Sequence, residues 1–210
     1  MTRWPRRWRD ISQPVDASVA CWPGDTPFSV EWVAHLDRGA PVTVSKITSS
    51  PHNGTHADAP NHFLQGAPGI GEVDPAAYLG PCRVVERIGT GPLRPEEVRR
   101  WRVKRGDRLL ARTRRRVDPR RFPKRFAHLT GASARVLAEA GAVLFGIDTP
   151  SVDFVTSRTM EAHRVLLSGG IAILENLDLT GVRTGRYVLV APPLRLRGLD
   201  ASPVRALLGR

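Results

Sequence analysis

Eighteen prolines and nineteen glycines interrupt the 210 residues so often that long regular elements have little room between them. Proline fixes φ and removes a backbone donor, and glycine costs entropy inside helices and strands. Punctuation at this density predicts short elements joined by structured loops. Strand candidates are 41-PVTVSKITSS-50, 82-CRVVERI-88, 108-RLLART-113, 142-AVLFGID-148, 171-IAILEN-176 and 187-YVLVAP-192. Each is rich in Val, Ile or Leu and bounded by Gly, Pro or Asp.

Helices are fewer. The segment 94-RPEEVRRWR-102 carries Pro95 near its first turn and two glutamates that complement the N-terminal dipole. A second helix is expected over 133–141, opened by Ser133 and closed by Gly141. A third is expected over 157–170, from a Ser/Thr cluster to a Gly pair. Ser202-Pro203 stands in N-cap and N1 order, which suggests a short helix or turn over 202–209. Strands dominate without strict alternation with helices. The expected class is therefore α+β, a strand-rich core with a few helices, rather than a doubly wound nucleotide-binding fold. No repeat or long linker divides the chain, so one domain is expected over residues 1–210, with residues 1–9 as an N-terminal arm.

The net charge of +12 is the unusual bulk property, and arginine supplies nearly all of it. Arginines concentrate in 3-RWPRRWR-9 and 112-RTRRRVDPRRFPKR-125. Such runs can follow a phosphate backbone, which makes a nucleic-acid-binding module the rival from another functional class. No nucleic-acid signature accompanies them, so the second run is expected as a solvated loop between a strand and a helix. No apolar run approaches the ~18–20 residues of a membrane span, and no apolar segment follows the basic N-terminus as a secretory signal requires. Cys21 and Cys82 have no metal-type spacing and fit two free thiols in a reducing cytoplasm.

The run 52-HNGTHADAPNH-62 packs three of the chain's six histidines and one aspartate into eleven residues. Gly54 and Pro60 oppose a helix here, so the run should be extended or looped. In an extended chain residues two apart share a face, which would point His52, His56 and Asp58 the same way. Two imidazoles and a carboxylate suit Zn²⁺ or a similar ion, and Asp58 has oxygens enough to bridge two metals. Ligands for a second metal could come from His163, mid-helix in 160-MEAHRVLL-167, and Glu175, at the end of the apolar run 171-IAIL-174. Each has an ordinary alternative, an exposed helix residue and a strand-end charge. His62 lies beyond Pro60, close to the ligands but apart from them, where an imidazole can shuttle protons. His35 and His128 fall in polar segments and are assigned to the surface.

The segment 51-PHNGTHADAPNHF-63 resembles the H-x-G-T-H-x-D-x-P-x-H signature of the metal-dependent cyclase-like hydrolases, and within them the bacterial kynurenine formamidases (arylformamidases). The resemblance continues through 21-CWPGDTPF-28, 79-LGPCRV-84, 146-GIDTPSVD-153, 159-TMEAH-163, 171-IAILENL-177 and 201-ASPVRAL-207. It implies a swivelling β/β/α fold, usually a homodimer, and two zinc ions per subunit, with manganese as the alternative. By position, one metal would sit on His52, His56 and Asp58, and the other on Asp58, His163 and Glu175. His62 would match the catalytic proton donor and acceptor, and Trp22 the aromatic that packs on the substrate. From its residues alone Trp22 reads equally as the anchor of a proline-rich turn. The implied reaction is hydrolysis of N-formyl-L-kynurenine to formate and L-kynurenine. Relatives acting on isatin or other cyclic amides share the metal motif, so the motif fixes the chemistry better than the substrate.

Overall fold

The computed structural model describes residues 4–210. In chain order its strands are β1 (Trp8–Asp10), β2 (Ser29–Ala34), β3 (Val44–Thr48), β4 (His56–Asp58), β5 (Leu79–Glu86), β6 (Gly91–Leu93) and β7 (Arg108–Arg112). They continue as β8 (Ala127–Leu129), β9 (Leu144–Ile147), β10 (Ala172–Glu175), β11 (Gly185–Val190), β12 (Ala201–Pro203) and β13 (Leu207–Gly209). The α-helices among the described residues are α1 (Pro95–Arg100), α2 (Gly131–Glu139) and α3 (Glu161–Ser168).

Nine strands form one mixed sheet in the order β1-β13-β11-β5-β7-β9-β10-β4-β12. Its centre, β5-β7-β9-β10, is parallel, and the flanks are antiparallel. Parallel neighbours need a crossover, and α1, α2 and α3 supply one between each successive pair. Alternation of strand and helix is thus present in the middle of the chain. The short strands β6 and β8, paired apart from the main sheet, hide it from a sequence reading. The fold remains strand-rich and is not doubly wound, because all three helices pack on one face. Val98, Leu137 and Leu166 there join Leu109, Phe145, Ile147 and Ile173 in one buried cluster. The opposite face buries Leu110, Leu144, Leu174, Leu189 and Tyr78. Residues of β7 and β9 alternate between the two clusters as strand geometry requires.

Several sequence expectations shift. The terminal segment 202–209 forms β12 and β13, not a helix. Burial alternates there, with Val204, Ala206 and Leu208 inside and Pro203 and Arg205 outside. Pro203 is tolerated because β12 is the sheet edge. Helix α2 begins at Gly131, since the Thr130 hydroxyl, rather than Ser133, caps it by accepting the Ser133 N–H at 3.1 Å. Helix α3 begins only at Glu161. Its first-turn amides of Ala162 and His163 donate to the Asp153 carboxylate at 3.1 and 2.9 Å, a cap supplied from a distant loop. Of the N-terminal arm, residues 1–3 lie outside the described residues, and Trp8–Asp10 pairs with β13 as β1. Strand β2 had no sequence expectation and pairs with β3 as a separate hairpin. Cys21 and Cys82 are both free.

Gly146, in β9, stands where a side chain has no room. A Cβ there would lie 2.6 Å from Leu110 Cδ2 and 2.8 Å from Leu177 Cδ1. Gly146→Ala should therefore destabilise the fold by about 1–3 kcal/mol through overpacking, read as a lower melting midpoint in chemical denaturation.

Candidate metal centre and cavity

Strands β4 and β10 pair antiparallel with His56 opposite Glu175, Ala57 opposite Leu174, and Asp58 opposite Ile173. Ile173 belongs to the helix-side cluster and Leu174 to the other. Alternation therefore places His56, Asp58 and Glu175 together on the helix side of the sheet. Helix α3 buries Ala162, His163, Leu166 and Leu167 as one stripe on that same side, which brings His163 over the strand ends. His52 arrives differently from the extended path expected of it. It stands in a turn, and Gly54, at φ +66°, swings the chain back into β4. A side chain at Gly54 would meet Val15 Cγ2 at 2.5 Å, so the bend also needs the missing Cβ.

The five side chains converge. Asp58 Oδ1 lies 3.3 Å from His52 Nδ1 and 3.4 Å from His56 Nε2, and its Oδ2 lies 3.4 Å from His163 Nε2. Glu175 reaches His163 Nε2 at 3.1 Å and His56 Nε2 at 3.5 Å. Two ligand-capable groups result, His52–His56–Asp58 and Asp58–His163–Glu175, each with donor atoms within 4.8 Å of one another. Asp58 is common to both. The outward nitrogen of every imidazole faces an acceptor. His56 Nδ1 donates to the Gly54 carbonyl at 3.0 Å, His163 Nδ1 to Asp153 at 2.7 Å, and His52 Nε2 to Asp200 at 3.0 Å. In the neutral tautomers these bonds select, the remaining lone pairs turn inward, as metal ligation requires.

Burial makes this cluster expensive without a cation. His56, Asp58, His163 and Glu175 are each less than 5% exposed. Both Asp58 oxygens and His56 Nε2 are buried without a hydrogen bond. Polar atoms in that condition cost free energy unless something satisfies them, and a cation between the two groups would satisfy all three. The donor set of imidazole nitrogens and carboxylate oxygens fits zinc or a similar borderline ion. Electrostatics agree. Burial alone would push the His56 pKa down, yet the neighbouring carboxylates of Asp58 and Glu175 lift it to about 10. His163 is raised against the same burial by Asp153, Asp58 and Glu175. Asp58 is held well below the ordinary carboxylate range because its histidine partners outweigh its desolvation. The pocket is built to hold positive charge.

A cavity of about 290 Å³ opens from this cluster. His62 and Trp22 both line it. The His62 ring stands 4.4 Å from that of His52 and 4.1 Å from Phe63, with Nδ1 3.5 Å from Asp200 Oδ2. Its pKa is lowered chiefly by burial. Trp22 is half-buried and meets Phe122 edge-on at 5.4 Å, so it is a cavity wall rather than a fully buried anchor. Phe122 belongs to the arginine-rich segment, and so do Arg114, Asp118, Pro119, Arg121 and Pro123, which also line the cavity. The expectation of a purely solvated loop over 112–125 is therefore corrected: one side of that loop is the cavity wall. His35 and His128 are half-buried rather than surface residues. His35 Nδ1 accepts the Asp37 N–H, and His128 stacks near Phe154.

Asp153, Asp200 and Asp148 had no sequence assignment. Asp153 carried a local signal, since it ends the quoted segment 146-GIDTPSVD-153, ten residues before His163. Its carboxylate caps α3 through both oxygens and orients the His163 ring through Oδ2. Asp153→Asn should weaken metal retention by about 10–100-fold, the usual cost of losing a hydrogen-bonded partner behind a ligating histidine. Metal content after dialysis against graded chelator checks this.

The family profile described as "Putative cyclase" matches residues 9–154. The chain is 45% identical over 204 residues to a kynurenine formamidase of Bordetella petrii, with 97% of each chain covered. It superposes on a solved structure of a potential metal-dependent hydrolase with cyclase activity at a TM-score of 0.85, with 26% identity and 96% of each chain covered. Isatin hydrolase A of Labrenzia aggregata, solved with benzyl benzoate, matches at a TM-score of 0.82 and 25% identity, over 96% of this chain and 93% of that one. The shared fold, the matched segment and the identity over nearly the whole length lead to one conclusion: the chain belongs to the cyclase family.

Proposed function

We propose that this protein is an arylformamidase that hydrolyses N-formyl-L-kynurenine to formate and L-kynurenine. The observation that carries the reading is the buried Asp58 shared by two ligand groups at the floor of a cavity walled by Trp22 and Phe122. The near full-length similarity to a kynurenine formamidase supports the substrate. His52, His56 and Asp58 would hold one metal, and Asp58, His163 and Glu175 the other, with zinc as the metal and manganese as the alternative. When bound, such ions polarise a carbonyl and lower the pKa of water. A homodimer in the cytoplasm completes the proposal.

Hydrolysis forms a bond from water oxygen to the formyl carbon and breaks the bond from that carbon to the aryl nitrogen. A water proton must therefore reach the departing nitrogen. His62 faces the cavity beside the ligand cluster, where it groups with His52 and Asp200 rather than with Asp58. With Nδ1 turned toward Asp200, its Nε2 is the atom that accepts this proton and delivers it. Aniline departs more readily than an alkyl amine, which eases that step. Trp22 and Phe122, in edge-to-face contact, form an aromatic wall on which the aryl ring can pack. Asp58, His56, His163 and Glu175 lie buried beneath, so bulk water reaches them only through the cavity.

The second reading is hydrolysis of a cyclic aryl amide such as isatin, favoured by the structural likeness to isatin hydrolase A. Both readings use the same floor and differ in what the walls accept. The competing nucleic-acid module leaves the buried cluster without a role.

Removing metal with chelator should abolish hydrolysis of N-formylkynurenine, and added Zn²⁺ should restore it. Isatin and simple formanilides assayed in parallel decide the substrate, and faster turnover of isatin than of N-formylkynurenine overturns the formamidase reading. His62→Ala should keep its metal by elemental analysis yet lose about 10²–10⁴-fold in kcat, the span of a positioned proton-transfer group. Turnover near wild type in that variant rejects the shuttle.

A further inference from the structure

The cavity wall contains charges that the hydrolytic step does not use. Apart from the ligand cluster and His62, its charged lining residues are Asp25, Arg114, Asp118 and Arg121. The aryl formamide proposed above ends in an amino acid, whose carboxylate enters the same cavity and needs a cation there. Simple formanilides and isatin carry no such group.

The two cationic candidates differ. Arg121 is exposed and lies in the outer part of the 112–125 loop. Arg114 is half-buried, and its backbone is pinned. The Asp148 carboxylate, fully buried just after β9, accepts the N–H of Arg114 at 3.0 Å and that of Thr113 at 2.9 Å. It also accepts the Thr113 hydroxyl at 2.5 Å. Two and three residues beyond Asp148, Pro150 and Ser151 themselves line the cavity. Arg114 is thus anchored to the segment that leads from the central sheet into the metal-side wall.

Its side chain contrasts with the neighbouring arginines on the sheet. Arg83 pairs with Asp107, Arg87 with Glu97, and Arg112 with Glu86, while Arg108 donates to the carbonyls of Ala76 and Ala77. The Arg114 guanidinium has no hydrogen bond or ion pair among the described residues. A partly desolvated guanidinium on a fixed backbone is well suited to take a planar carboxylate in two parallel bonds.

We propose that Arg114 binds the α-carboxylate of the substrate's amino-acid tail and so selects amino-acid-bearing aryl formamides over neutral aryl amides. This inference rests on the formamidase reading of the same site. Arg114 acts on recognition, leaving metal retention and proton transfer to the floor.

The test compares N-formylkynurenine, its α-methyl ester and formanilide on wild type, Arg114→Gln, Arg114→Lys and the exposed neighbour Arg115→Gln. The quantity read is the ratio of kcat/KM for N-formylkynurenine to that for formanilide, which is insensitive to the fraction of protein folded. Arg114→Gln should lower this ratio about 10–100-fold, mainly through KM, as expected for losing a charge-assisted hydrogen-bonded contact. Arg114→Lys should fall between, and Arg115→Gln should match wild type. The ester should behave like formanilide in every variant. An unchanged ratio in Arg114→Gln overturns the assignment, as does an equal loss on ester and acid. Wild type that hydrolyses formanilide or isatin but not N-formylkynurenine instead overturns the functional reading, and the inference with it.

Discussion

The organising interaction is the carboxylate of Asp58, 1% exposed and surrounded by three imidazoles. A buried carboxylate without full hydrogen bonding is unfavourable, and the neighbourhood exists to answer it. Each surrounding imidazole is held by an acceptor behind it: the Gly54 carbonyl, Asp153 and Asp200. Glu175 is fixed by accepting the Val152 N–H at 2.6 Å. Negative charge is thus concentrated where cations can be received, and the outer ring of bonds keeps the donors aimed.

The rest of the architecture can be read as support for that arrangement. The two strands that carry His56, Asp58 and Glu175 are short, but neither is an edge of the sheet. Strand β10 is bracketed by β9 and β4, and β4 is bracketed by β10 and β12. Packing from both faces, with Leu174 on one side and Ile173 on the other, leaves little freedom for those side chains to drift. The cavity wall draws on a different part of the chain. The long connection between β7 and β8 carries Phe122 and Arg114 to the cavity, opposite a floor it does not help to build.

Most of the floor was legible in the sequence because its chemistry is written locally. His52, His56, Asp58 and His62 fall within eleven residues, and Glu175 stands out as a charge ending an apolar strand. The six principal strand candidates each overlap a strand for the same reason, since hydrophobic runs between Gly and Pro report burial directly. What escaped depends on contacts distant in sequence. Ser202-Pro203 has the local form of a helix start, but pairing with β4 overrides it. The start of α3 is set by Asp153 rather than by the Ser/Thr cluster near residue 157. The arginine run looks like a solvated face because nothing within it announces Asp148, thirty-four residues from Arg114, as its anchor.

The pairing of His56 with Glu175 carries one more consequence. Side chains alternate along a strand, so a slip of β4 against β10 by a single position would set Ala57 where a ligand belongs and turn His56 and Asp58 toward the other layer. A chain mispaired in this way would lose His56 from one ligand group and Asp58 from both. An ion that bound only the correctly aligned state would draw the population toward it by mass action. Metal held for hydrolysis would thereby also proofread the strand alignment.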